Sequence, residues 1–238
     1  MNNSRHSEGC ATHNSRPLAL LDNMNAPPRL DVHQCMNDST LPVRQTHKLA
    51  NDYLYQQGEA SPQLYLVKAG IVCLESANDR GERCIIHLMG QGALVGHEAF
   101  LQQPRSFDAR VCTDAVLEVI SMPVTTDITL GDSMMRWANT AVARLLQDAV
   151  NFKVELHRAH AHEKVLLLLE QLKSLHPESA DVFWIPSRSE MADILGINHV
   201  TASRVVAKLF RESALLRASH KNYARVDWER VRLLLRSA

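Results

Sequence analysis

No run of apolar residues in this 238-residue chain approaches the roughly 20 needed to cross a bilayer as a helix, which excludes a helical membrane span. The opening MNNSRHSEGC lacks the apolar stretch of a secretory signal, so a cytoplasmic location is expected. Cysteine is sparse and odd in number. Residues 10, 35, 73, 84 and 112 contain no C-x-x-C pair, which argues against a disulfide framework, and Cys73 and Cys84, set within strand-like patterns, are expected as small core residues. There is no P-loop, no dinucleotide-binding glycine fingerprint and no nucleophile beside a base, so an enzyme is not expected. Net charge is missing as well, with 26 basic and 26 acidic side chains.

The balance is not local. Residues 187–238 carry ten basic groups (eight Arg, Lys208 and Lys221) against five acidic ones, a net of +5, and the preceding 186 residues are correspondingly negative. A basic end on an otherwise acidic chain is the electrostatic footprint of a nucleic-acid partner. Residues 1–44, rich in Asn, His, Ser and Pro, have no apolar periodicity and read as a mobile arm. From Tyr53 to Ile120 short apolar runs such as LYLVKAGIVCL and RCIIHLM are separated by six of the nine glycines, the pattern of a small antiparallel barrel or roll, placed at 45–130. Glycine is then absent between 131 and 196, and Ala138, Ala141, Leu145, Ala149, Phe152 and Leu156 recur at helical spacing. A helix over 131–160 exceeds what one small domain needs, so this stripe is expected to pair with a second copy of the chain.

The final segment, 161–238, holds the most specific pattern. Ser187 and Glu190 form a capping box that starts one helix, Gly196 ends it, and Asn198 caps a second helix running to about Arg211. Small Ala192 at the crossing, Ile197 at the corner, and Ala202 and Val205 facing inward make this a helix-turn-helix. Asn198, His199, Val200, Ser203 and Arg204 are left on the outer face of the second helix, where base edges are contacted, with Ser187, Thr201 and Lys208 alongside. LLRASHKNYARVDW reads as a two-stranded wing bringing Lys221 to the phosphates. The expected fold is therefore α+β: an antiparallel β-roll, a long dimerisation helix and a C-terminal winged helix-turn-helix.

With QGEASPQLYLVKAGIVCL, the GER turn at 81–83, MGQGALVGHEAFL, the long helix and SEMADILGINHVTASRVVAKL, residues 50–238 resemble the cyclic-AMP receptor protein and fumarate-nitrate regulator (CRP/FNR) superfamily of bacterial transcription regulators. The resemblance implies a homodimer with an effector-sensing jelly roll of the cyclic-nucleotide-binding kind, binding a palindromic double-stranded DNA operator and contacting RNA polymerase. Ser203 and Arg204 match the family's recognition-helix pair, whereas Val200 replaces a usual glutamate and His199 a usual arginine or valine. The alternative class is a cyclic-nucleotide-binding regulatory module of an enzyme.

Its signal stays open among three chemistries. The cyclic-nucleotide branch implies a pocket at Gly96, His97, Glu98, Arg105 and Ser106, since a phosphate diester needs a bidentate guanidinium beside backbone amides. The haem-sensing branch points to His97. The iron-sulfur branch needs four converging thiolates, and the arm offers only Cys10 and Cys35. The C-x-x-H and H-x-C pairs Cys10-His13 and His33-Cys35 supply two thiolates and two imidazoles, which suits zinc or a mixed-ligand cluster, but twelve histidines form such pairs by chance, so an unstructured arm and no metal site are expected.

Overall fold

Strands β1 (Val43–Lys48), β2 (Tyr53–Tyr55), β3 (Gln63–Ala69), β4 (Val72–Ala77), β5 (Arg83–Met89), β6 (Leu94–Val95), β7 (Asp108–Val111) and β8 (Ala115–Ser121) form two antiparallel four-stranded sheets. Their orders are β1-β8-β3-β6 and β2-β7-β4-β5. The computed structural model describes residues 42–77, 83–122, 132–177 and 180–236. The expected arm therefore lies outside the described residues except at its end, where Val43 and Arg44 already belong to β1 and pair with Ile120 and Val119. Cys10, Cys35 and their neighbouring histidines, and most of the GER turn, also lie outside.

Side chains alternate along each strand, so the continuous apolar runs place apolar groups on both faces of both sheets. Tyr65 and Val67 of β3, Val72 and Leu74 of β4, and Leu117 and Val119 of β8 fill the space between the sheets. The opposite residues of the first sheet, Leu64, Leu66 and Ile120, pack on Trp137 and Ala138 of helix α1 (Asp132–Arg158). Those of the second sheet, Ile71, Cys73, Ile85 and Leu88, join one core with the C-terminal unit. Gly70, at φ +92°, lets the β3–β4 turn press on Asp114 and Ala115, where an added Cβ would come within 2.5 Å of the Asp114 carbonyl oxygen.

The C-terminal unit comprises α2 (Ala161–Leu175), β9 (Phe183–Trp184), α3 (Arg188–Leu195), α4 (His199–Arg211), the hairpin β10 (Leu215–Arg217) and β11 (Tyr223–Val226), and α5 (Trp228–Arg236). β11 pairs with both β10 and β9. α5 has no counterpart among the expected elements; it starts where Asp227 Oδ1 accepts from the Arg230 amide, and it buries Val231 in the same core. Two further expectations are corrected. Cys84 is exposed, because it sits at the start of edge strand β5, whereas Cys73 is buried. The stripe Ala138, Ala141, Leu145, Ala149, Phe152 and Leu156 faces its own chain: Ala138 and Ala141 cover the first sheet, Leu145 packs on the core between the sheets, and Phe152 and Leu156 join the C-terminal core, with Ala149 half-buried. The physical reason is the two-faced burial of the strands, which demands an apolar cover.

His87 of β5 illustrates the closeness of this packing. Burial, and then the Lys153 ammonium of α1, lower its pKa from 6.5 to about 4. The folded chain thus carries a neutral imidazole where the unfolded chain takes up a proton, so stability falls as pH drops from 6.5 towards 4. The expected loss is about 1–3 kcal/mol. Urea midpoints at neutral and mildly acidic pH measure it, and His87→Gln should flatten the difference; an unchanged slope would assign it to other groups.

Candidate nucleic-acid interface

Local sequence builds the helix-turn-helix. The Ser187 hydroxyl accepts from the Glu190 amide at 3.2 Å while the Ser187 amide donates to the Glu190 carboxylate at 2.9 Å, so α3 starts with two of its orphan donors satisfied. Gly196 ends α3 at φ +60°, and the Ile197 amide donates to the Ala192 carbonyl at 3.1 Å, which sets the corner. Asn198 Oδ1 accepts from the Val200 amide at 2.8 Å and caps α4. Ala192 and Ala202 are buried where the helices cross, Val205 packs against the same core, and Val206 and Leu209 complete it.

The nine expected contact residues do not behave alike. His199, Val200, Arg204, Lys208 and Lys221 are exposed, whereas Ser187, Thr201 and Ser203 are half-buried. Val200 is 53% exposed. Ser187 is committed to its cap, and the acceptor of exposed Asn198 is committed too, leaving only its amide nitrogen to donate. Lys208 lies 3.7 Å from Glu212 one turn on. Exposed His220 and Lys221 lie at the tip of the wing, and between the wing and α3 is a cavity of about 350 Å³ lined by Arg188, Arg217, His220 and Lys221 among others. Arg188 and Arg217 were not singled out from the sequence, because only the fold brings them beside the wing tip. The surface combines an apolar and polar helix start with flanking cations, which suits a groove edge bordered by phosphates.

The expected effector residues also come together and satisfy one another in part, with Arg105 Nε and Glu98 Oε2 buried without a hydrogen-bond partner. Gly96, at φ +87°, precedes a short 3-10 helix (His97–Leu101), and an added Cβ there would meet the Arg105 guanidinium at 2.6 Å. The Arg105 side chain is fully buried: Nη1 donates to the Gly96 carbonyl at 2.6 Å, Nη2 donates to the Gln63 carbonyl, the Glu98 carboxylate lies 3.6 Å away, and the guanidinium stacks 4.3 Å from the centre of the Tyr55 ring. Burial raises the Glu98 pKa, but its own amide, the Ser106 amide at 3.0 Å, His97 and Arg105 outweigh that and hold it below the ordinary carboxylate value. Burial and then the Glu98 charge push the Tyr55 phenol up. These residues do not fit a cyclic nucleotide's phosphate in this conformation, because the guanidinium that would receive it is directed at the chain's own carbonyls. His97 Nδ1 lies 4.0 Å from Glu98, and no cluster of three or more metal-ligating side chains occurs among the described residues. No described helix is long and apolar enough to cross a membrane.

Comparison with known proteins agrees with this architecture. Residues 46–128 match the model of the cyclic nucleotide-binding domain. The chain is 27% identical over 176 residues to the transcriptional regulator SdrP of Thermus thermophilus, covering 71% of this chain and 84% of the relative. It is also 27% identical over 176 residues to the nitrogen fixation regulation protein FixK of Bradyrhizobium diazoefficiens, covering 72% and 74%. Among solved structures, a CRP/FNR-family regulator from Thermus thermophilus superposes with a TM-score of 0.64 at 22% identity, covering 81% of this chain and 98% of that one. FixK2 from Bradyrhizobium japonicum superposes with 0.65 at 19% identity, covering 82% and 98%. The β-roll thus matches a cyclic nucleotide-binding domain, the chain is similar in sequence to two transcription regulators, and its fold is that of a solved CRP/FNR-family regulator.

Proposed function

We propose that this protein is a dimeric, sequence-specific DNA-binding regulator, not an enzyme, in which the β-roll (45–130) receives a signal and the C-terminal unit (161–238) binds a palindromic operator and meets RNA polymerase. One observation carries the reading: a capped helix-turn-helix whose second helix exposes His199, Val200 and Arg204 beside a basic wing. Dimerisation is assigned to the outer side of α1, where Met135, Leu146, Val150 and Val154 are exposed at helical spacing. In the conformation described Arg105 is buried beside Glu98 and does not offer its guanidinium to a ligand.

Selection of bound duplexes from a random library tests the reading. Arg204 is the group able to take guanine O6 and N7 together, so Arg204→Ala should cost about 1–3 kcal/mol and flatten preference at one base pair per half-site. Val200 offers no acceptor and favours a thymine methyl, so Val200→Glu should shift the selected base towards cytosine. Lys221→Ala should weaken all sequences alike and lower the salt slope by about one. Identical selected sites for wild type and Val200→Glu would show that position 200 does not face the bases.

A further inference from the structure

Arg110, on β7, lies between two carboxylates that belong to different parts of the molecule. Its Nε donates to Glu75 at 3.2 and 3.3 Å, its Nη2 donates to Glu190 at 2.9 Å, and its Nη1 reaches Asn51 Oδ1 at 3.4 Å. Glu75 is an anchor inside the sheet: it is 3% exposed, and it also accepts from Arg83 at 2.9 Å and from the Tyr53 hydroxyl at 2.8 Å. Glu190 is the capping-box residue of α3, with one oxygen turned to the Ser187 amide and the other to Arg110. The start of the first helix of the DNA-binding unit is therefore joined to the sensor sheet through one guanidinium.

Among the described residues these parts also share an apolar core and close backbone contact. Ile71, Cys73, Ile85, Leu88 and Cys112 run into one core with the helices of the C-terminal unit, and Gly90 lies so close to Leu175 that an added Cβ would come within 2.9 Å of its carbonyl oxygen. Apolar contact holds surfaces together without direction, whereas a planar guanidinium with both ends hydrogen-bonded fixes an angle. We propose that Arg110, by bridging Glu75 and Glu190, is the positioning residue that sets the orientation of the α3–α4 unit on the β-roll, and thereby the half-site spacing that the dimer accepts. The proposal rests on the DNA-binding reading above. His199, Val200 and Arg204 stay exposed with the bridge made, so the bridged arrangement leaves the recognition face free.

The test uses the full-length protein and fluorescence anisotropy with duplexes carrying two selected half-sites, at the selected spacing and with a base pair inserted between them. One added base pair turns the second half-site by about 35°, which a rigid dimer rejects. Wild type should prefer the selected spacing by about tenfold or more. Arg110→Gln and Glu190→Gln should lower that preference to about threefold or less, through weaker binding to the selected spacing, with unchanged base preference within each half-site. Glu190→Gln keeps an acceptor for the Ser187 amide, so it reports on the bridge even if Arg110→Gln fails to fold. Equal weakening at both spacings, or wild-type discrimination in Glu190→Gln, overturns the proposal while leaving the DNA-binding reading intact. A wild type that binds no duplex selectively overturns both.

Discussion

Leu146→Glu is expected to yield a folded monomer that no longer binds an operator made of two half-sites. Leu146 is 64% exposed on α1, and with Met135, Val150 and Val154 it forms a face turned away from both sheets. Burying such a face against its copy is worth about 1.5–3 kcal/mol per fully covered side chain, and a lone carboxylate placed in the seam reverses that gain at a cost of several kcal/mol. Losing the link between two half-sites removes the effective concentration that a dimer supplies, so affinity for the full operator should fall by about 100-fold or more. Leu145→Glu is the informative neighbour. Its side chain packs on the core between the sheets, so its charge should destabilise the fold itself. Sedimentation velocity at micromolar concentration separates the two variants, and a dimeric Leu146→Glu would reject this face as the interface.

Glu98→Ala should destabilise the β-roll by about 3–5 kcal/mol. It removes the carboxylate beside a fully buried guanidinium and also the acceptor of the Ser106 amide. Glu98→Gln keeps an acceptor but not the charge and should fall between the two. The sign with pH follows from the depressed Glu98 carboxyl. Its contribution is complete above the ordinary carboxylate pKa and is lost as pH falls through the folded-state value, so the gap between wild type and variant should narrow in acid. Urea unfolding at matched protein concentration measures the gap. An alanine variant within about 0.5 kcal/mol of wild type would mean that Arg105 finds other partners.

Much of the helix-turn-helix unit was legible in the sequence because its signals are local. The capping box at Ser187 and Glu190, the left-handed Gly196, the Asn198 cap and the buried Ala192 and Ala202 all fall within a span of sixteen residues and act on their nearest neighbours. The long helix was equally legible from its period, and the β-roll from short apolar runs punctuated by glycine. The exposure of Cys84 was not, because an apolar run does not reveal which strand will form an edge. Nor was α5, a short element whose Val231 finds its core only among other helices.

Sequence by itself thus determined the elements other than α5, since caps, turns and apolar periods operate within a few residues of chain. Tertiary structure alone decided what those elements face. The α1 stripe expected to meet a second copy instead covers the chain's own sheets, because Leu64, Leu66 and Ile120 present an apolar face that the spacing of the helix residues does not disclose. Arg105 turns inward to Gly96, Gln63 and Glu98, and Arg110 joins Glu75, 35 residues before it, to Glu190, 80 residues after it, because charged partners are selected by proximity in the folded chain and not by their order along it.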